Sequence, residues 1–128
     1  MTQSLAAISL LVDDYDRAIE YYTSVLGFTL LEDIAMGAGK RWVKVAPGGA
    51  GCAFVLAKAS NDRQRQTIGG QGGGRVWLFL QTDDFWADYQ RYQQRGVSFL
   101  ETPREEPYAT VVVFEDIFGN RWDLLQPK

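Results

Sequence analysis

Hydrophobic and polar residues alternate through Ala7–Val12 (AISLLV) and again through Val76–Gln81 (VWLFLQ). A period of two is the signature of a strand. In the first stretch it sets Ile8, Leu10 and Val12 on one face and Ala7, Ser9 and Leu11 on the other. In the second, Val76, Leu78 and Leu80 share a face, and Trp77, Phe79 and Gln81 share its opposite. Each strand runs into an aspartate, Asp14 or Asp84, placed to cap a helix N-terminus with a side-chain oxygen. Neither has a glutamate three residues on, so neither is a full capping box. The period then changes. Ala18, Tyr21, Tyr22, Val25 and Leu26 fall on one helical stripe, closed by Gly27 as a left-handed stop. A sparser stripe of Phe85, Tyr89 and Tyr92 ends in a basic last turn and a glycine, Arg95 and Gly96. Short strands follow each helix. RWVKVA and CAFVLA follow the first, TVVVFE and RWDLLQ the second, with turn chemistry between them in PGGAG and DIFGN.

The two patterns are one pattern written twice. At an offset of 70, Ala7 meets Trp77, Ile8 meets Leu78, Leu10 meets Leu80, Asp14 meets Asp84 and Tyr22 meets Tyr92; at 69, Gly27 meets Gly96. The expected fold is α+β: two repeated βαβββ modules forming a curved mixed β-sheet cleft, with the helices outside. A single domain over 1–128 would hold module one at about 4–60, a linker at about 61–75 and module two at about 76–128. The linker NDRQRQTIGGQGGGR is polar and glycine-rich. Its glycines do not make a phosphate loop, because they lead into a strand and lack the Gly-Lys-Ser/Thr that opens a helix. The faces turned away from the helices, carrying Ala7, Ser9, Trp77, Phe79 and Gln81, would line the cleft.

Composition narrows the chemistry. The 128 residues carry 13 basic and 16 acidic side chains, a net charge of -3, which gives no electrostatic reason to expect nucleic acid or an anionic membrane as partner. The N-terminus lacks a basic signal-peptide region, and no apolar run is long enough to span a bilayer, so a cytoplasmic location is expected. One cysteine, Cys52, excludes an intrachain disulfide. It has no basic neighbour in sequence and reads as a buried, inert thiol. There is no histidine. The usual general base and the commonest transition-metal ligand are therefore both missing.

The stretches VDDYDRAIEYYTSVLGF, TDDFWADYQRYQQRGVSFLE and PREEPYATVVVFEDIFGNRWDLLQP, with the repeat itself, resemble the vicinal oxygen chelate superfamily, which groups glyoxalases, bleomycin resistance proteins and extradiol dioxygenases. The resemblance covers nearly the whole chain and implies the fold rather than an activity, since the superfamily hosts lyases, dioxygenases, epimerases and metal-free drug-binding proteins. It also implies a homodimer. Metal-using members build their site from four strand positions. Here those positions fall on Ala7, on Trp77, near Ala53 or Phe54, and on Asp123 in NRWDLL. One aspartate does not hold a divalent ion. The chain is read as a divergent member without the family histidines, with no metal and no other cofactor.

Seven residues are candidates for a ligand site. Trp77 either walls a pocket for a planar or apolar molecule or plugs the cleft as core, and Phe79 leans toward plain packing. Gln81 and Ser9 sit at neighbouring cleft positions. Trp42 serves a pocket or a subunit interface. Asp123 is either a buried carboxylate with a raised pKa, the one catalytic candidate, or the partner of Arg121, Arg41 or Arg75. In PREEPY, Arg104 binds an anion and Tyr108 donates a hydrogen bond, or the segment is a rigid solvated turn. Arg41 and Lys44 read as surface charges. The leading functional reading is a metal-free protein holding a small organic molecule in an aromatic-lined cleft. The alternatives are a metal-dependent lyase or dioxygenase, a cofactor-free enzyme with Asp123 as base, and a structural or regulatory protein with no small-molecule site.

Overall fold

The computed structural model describes residues 1–49 and 51–128; Ala50, inside the expected PGGAG turn, lies outside them. The chain divides into two compact units, residues 1–66 and 67–128. The division falls within the glycine-rich segment.

In the first unit, β1 (Ala7–Val12) leads into α1 (Tyr15–Glu20), then β2 (Thr29–Gly37), β3 (Lys40–Ala46), β4 (Ala53–Lys58) and the short helix α2 (Asp62–Thr67) that straddles the boundary. The sheet order is β1-β4-β3-β2, with β1 parallel to β4 and the other pairs antiparallel. The second unit repeats this. β5 (Val76–Gln81) and α3 (Phe85–Gln94) precede β6 (Ser98–Phe99), β7 (Arg104–Glu105), β8 (Ala109–Glu115) and β9 (Arg121–Pro127). Its order is β5-β9-β8-β6, with β7 also pairing β8 and β5 parallel to β9. In each unit, then, the last strand returns to lie parallel to the first. The α+β class and the repeated βαβββ order are those the pattern predicts.

One face of each sheet is the core. Leu10, Val12, Ala18, Tyr22, Val43, Val45 and Leu56 are buried in the first unit, and Leu78, Phe85, Tyr92, Val112, Phe114, Trp122 and Leu124 in the second. Each large apolar side chain so buried contributes roughly 1.5–3 kcal/mol. Rings order both cores: Tyr22 stacks on Phe28 at 6.0 Å, Phe114 on Trp122 at 5.7 Å. Asp116, buried beside them, accepts hydrogen bonds from the backbone N–H of Phe118 and Asn120, from Asn120 Nδ2 and, at 3.0 Å, from Trp122 Nε1. The DIFGN turn is thereby tied to the core.

Several local features depart from expectation. Asp14 caps α1, accepting from Arg17 N–H at 2.9 Å. Asp84 makes no such cap. The Phe85 N–H goes instead to Gln126 Oε1 at 2.9 Å, while Thr82 Oγ1 accepts from Asp84 N–H and donates to Asp88. A side chain from β9 has taken over a job that local sequence assigns to Asp84. The first helix widens into a π turn over Tyr21–Val25 before Gly27, at φ 80°, ends it; Gly96 has the same φ after α3. The widening leaves Val25 half-buried while Tyr21, Tyr22 and Leu26 stay inside. The segment read as a linker is ordered. It contains α2, and Gly69 lies so close to Phe118 that a Cβ there would stand 2.0 Å from the Phe118 carbonyl oxygen. PREEPY is not simply a turn, since Arg104 and Glu105 form β7. Cys52 is half-buried rather than buried.

Candidate functional site

The strand registers show which candidates share a surface. In the second unit Phe79 stands opposite Asp123 on the parallel pair β5–β9, and Gln81 opposite Leu125. Asp123 is in turn opposite Val113 on β8. These residues occupy the face turned away from the Leu78–Trp122–Leu124 core. Phe79 is 66% exposed. The expectation that it serves mainly as packing is therefore corrected: its strand position puts the ring on the open face, where no core residue covers it.

Asp123 is the chemically distinctive group on that face. Its Oδ1 is buried and has no hydrogen-bond partner. Burial pushes its carboxyl above the usual aspartate range; the Arg104 guanidinium pulls it down and the Glu101 carboxylate adds to the rise. Glu101 approaches because its Oε1 accepts from the Val113 N–H, and Val113 is Asp123's strand partner. The expected ion pair of Asp123 with Arg121, Arg41 or Arg75 is absent among the described residues. Arg41 belongs to a different network, bonded to Asp16 at 2.9 Å and Asp33 at 2.8 Å.

Arg104 is not an open anion receptor. Its Nε meets Glu101 at 2.7 Å and its Nη1 meets Glu106 at 2.9 Å, and it shares a further side-chain hydrogen bond with Tyr108. These partners hold the guanidinium in its charged form and occupy its donors. Tyr108 is exposed and belongs with this arginine cluster rather than with Phe79.

Trp77 departs from the simple alternation. The register slips between Val76 and Leu78, so Trp77 occupies a β-bulge. Its Cβ and Cγ lie against Gly72, close enough that a methyl at Gly72 would sit 2.6 Å from the Trp77 Cβ. The parity argument that grouped Trp77 with Phe79 and Gln81 assumes an unbroken strand, and the bulge breaks it. Trp77 packs on the glycine turn that precedes β5.

In the first unit Ser9 stands opposite Val55, and Val55 opposite Lys44. Trp42, two residues before Lys44, shares that face. It is half-exposed and donates from Nε1 to Glu32 Oε2 at 3.0 Å, and Glu32 also pairs with Lys44 at 3.4 Å. Trp42 borders a groove of ≈ 760 Å³ whose walls include Tyr15, Met36, Lys40, Lys58 and Gln64. Sequence alone flagged Trp42 but not this groove, because its far wall comes from α2, read as part of a linker, and from the β2–β3 hairpin tip, on which the pattern gave no reading.

The registers also test the metal positions. Because Ser9–Val55 repeats Phe79–Asp123, the first-module counterpart of Asp123 is Val55, one residue beyond the expected Ala53 or Phe54. Ala7, Trp77 and Val55 supply no ligand atom, and Asp123 is a single carboxylate. Among the described residues no three His, Cys, Asp or Glu side chains gather.

Residues 4–124 match the family model described as the Glyoxalase/Bleomycin resistance protein/Dioxygenase superfamily. The chain belongs to this superfamily. An uncharacterised protein of Shewanella frigidimarina is 52% identical over 128 residues, covering 98% of this chain and 95% of its own. Among solved structures, TnmS3, an antibiotic binding protein from Streptomyces sp. CB03234, is 33% identical with a TM-score of 0.80, covering 100% of this chain and 99% of that one. UcmS2 is 30% identical with a TM-score of 0.83, covering 98% of each chain. No helix among the described residues is long and apolar enough to cross a membrane.

Proposed function

We propose that this superfamily member binds a small organic molecule without a metal, and that the ligand lies on the Phe79–Asp123 face. One observation carries the reading: a phenyl ring left largely exposed beside a carboxylate whose buried Oδ1 has no partner. A buried acceptor left unsatisfied is costly, and a ligand N–H or O–H placed there would relieve it. The ring beside it offers a stacking surface. A planar aromatic molecule with a protonated nitrogen or hydroxyl meets both demands, and the net charge of -3 favours a cation. The likeness to the antibiotic binding protein TnmS3 supports the same class of activity. A homodimer is part of this proposal, with Leu31 and Ile34, exposed on the edge strand β2, as apolar surface for a second copy; sedimentation at micromolar concentration tests it.

The test uses tag-free protein purified without chelator. Metal content by mass spectrometry is expected far below stoichiometric. Titration with 9-aminoacridine, a planar aromatic cation, should give saturable quenching that EDTA leaves unchanged and that Asp123→Asn weakens. Stoichiometric bound metal, or affinity indifferent to Asp123→Asn and Phe79→Ala together, would overturn the proposal.

A further inference from the structure

The groove of the first unit has a chemistry of its own. Its floor is apolar, with Val55 and Ala57 half-buried in it; the Tyr15 ring beside them is buried under the Arg41 guanidinium, 5.2 Å from its centroid. Met36 and Trp42 are exposed along its walls. Its charged lining is strongly one-sided. Arg41, the best-held cation, is neutralised by Asp16 and Asp33. Lys40 and Lys58 also line the groove, both are exposed, and among the described residues neither ammonium takes part in an ion pair. Asp14 feels the charge of Lys58 without pairing with it. Gln64 spends its Oε1 on the Ser60 N–H at 2.7 Å and the Ser60 hydroxyl at 3.0 Å, which leaves the donor side of its amide for a ligand. No aspartate or glutamate lines the groove. An apolar floor and walls, two unpaired ammonium groups and one amide donor therefore surround ≈ 760 Å³, a volume within the ordinary range of small-molecule sites.

We propose that this groove is a binding site for an amphipathic anion: a small molecule with an aromatic or alicyclic body that packs on Met36, Trp42 and Val55, and a carboxylate, sulfonate or phosphate end held by Lys40 and Lys58. The charge demanded here is opposite to that demanded by Asp123. All the lining residues belong to the first unit, so the inference stands independently of the Phe79–Asp123 reading.

The probe is 8-anilinonaphthalene-1-sulfonate, an aromatic anion that brightens in apolar surroundings. The wild-type chain should bind it saturably, with energy transfer from tryptophan that Trp42→Phe reduces more than Trp86→Phe does. Reversing both charges in the double variant Lys40→Glu/Lys58→Glu should weaken it about tenfold, and added salt should weaken it in the wild type. Lys40→Gln/Lys58→Gln should fall between, with circular dichroism unchanged in both. Phe79→Ala and Asp123→Asn should leave this probe untouched while weakening 9-aminoacridine, so the two readings fail separately. The proposal is overturned by absence of saturable binding, by wild-type affinity in the natively folded charge-reversed variant, or by a loss that tracks Phe79 instead. Binding that appears only as a dimer dissociates would assign the groove to an interface between copies and overturn it as well.

Discussion

Phe79 and Asp123 are Cα partners on adjacent parallel strands, so the most exposed ring of the second sheet lies directly beside its one carboxylate with an unbonded buried oxygen. The ring is solvent-facing, and its removal should hardly change folding. Phe79→Ala should shift the melting temperature by no more than about 1–2 °C. It should cost roughly 1 kcal/mol of 9-aminoacridine binding, about a fivefold rise in Kd, measured by fluorescence titration. A large loss of stability would show that the ring is covered in solution.

Asp123 should give the fold a pH slope of a definite sign. Its pKa in the fold is raised above the ordinary 3.8, chiefly by burial. The native state therefore binds more protons than the unfolded chain between those two values. Stability falls as pH rises from about the ordinary aspartate value through the raised one. Asn cannot ionise, so Asp123→Asn should melt higher than wild type at pH 7, with the difference shrinking toward zero as pH falls below 4. Paired thermal melts from pH 3.5 to 7 measure it. A difference of opposite sign would mean that the carboxylate is stabilised by charge.

Asp116 predicts a different outcome, because its oxygens are fully used. It is 5% exposed and accepts the indole N–H of Trp122, itself 1% exposed. Asp116→Ala removes the acceptor of that buried donor and of two backbone N–H groups. The expected cost is about 3 kcal/mol by urea denaturation, with no change in the slope of the transition.

Gly69 makes the glycine-rich segment testable as structure. Its φ of 77° favours glycine, and a Cβ would collide with the Phe118 carbonyl. Gly69→Ala should cost about 3 kcal/mol or more. Gly73→Ala, where a Cβ meets nothing within 4 Å, should cost only the backbone strain of its φ of 67°, about 1–2 kcal/mol. Equal, negligible effects would restore the reading of this segment as a slack tether.

The contrast between those two glycines shows where sequence reading stops. Period-two and helical spacing identified β1, β5, α1 and α3, because each buries one stripe against a core and the stripe is local. Gly27 and Gly96 were legible because a helix stop needs only its own φ. The cap of α3 was not: Gln126 reaches it from β9, and nothing near Asp84 announces that. The bulge at Trp77 was equally hidden, since it answers to the Gly72 contact and to the register of β9 rather than to alternation within β5. The missing ion pair of Asp123 was not legible either, because Arg41, one of its expected partners, is claimed by Asp16 and Asp33. The groove near Trp42 escaped notice because α2 and the Met36–Lys40 hairpin carry almost no periodic signal.

The return of each last strand to the first has a kinetic consequence. Ala7 cannot pair until Ala53 has been made, nor Val76 until Arg121 has. Since β4 and β9 are inner strands of their sheets, neither sheet can close around an unfinished chain. Each half emerging from a ribosome would hold its hairpins and helix while the core rows of β1 and β5 wait uncovered. Folding should be limited by this long-range closure, and the chain should be most prone to aggregation during the wait.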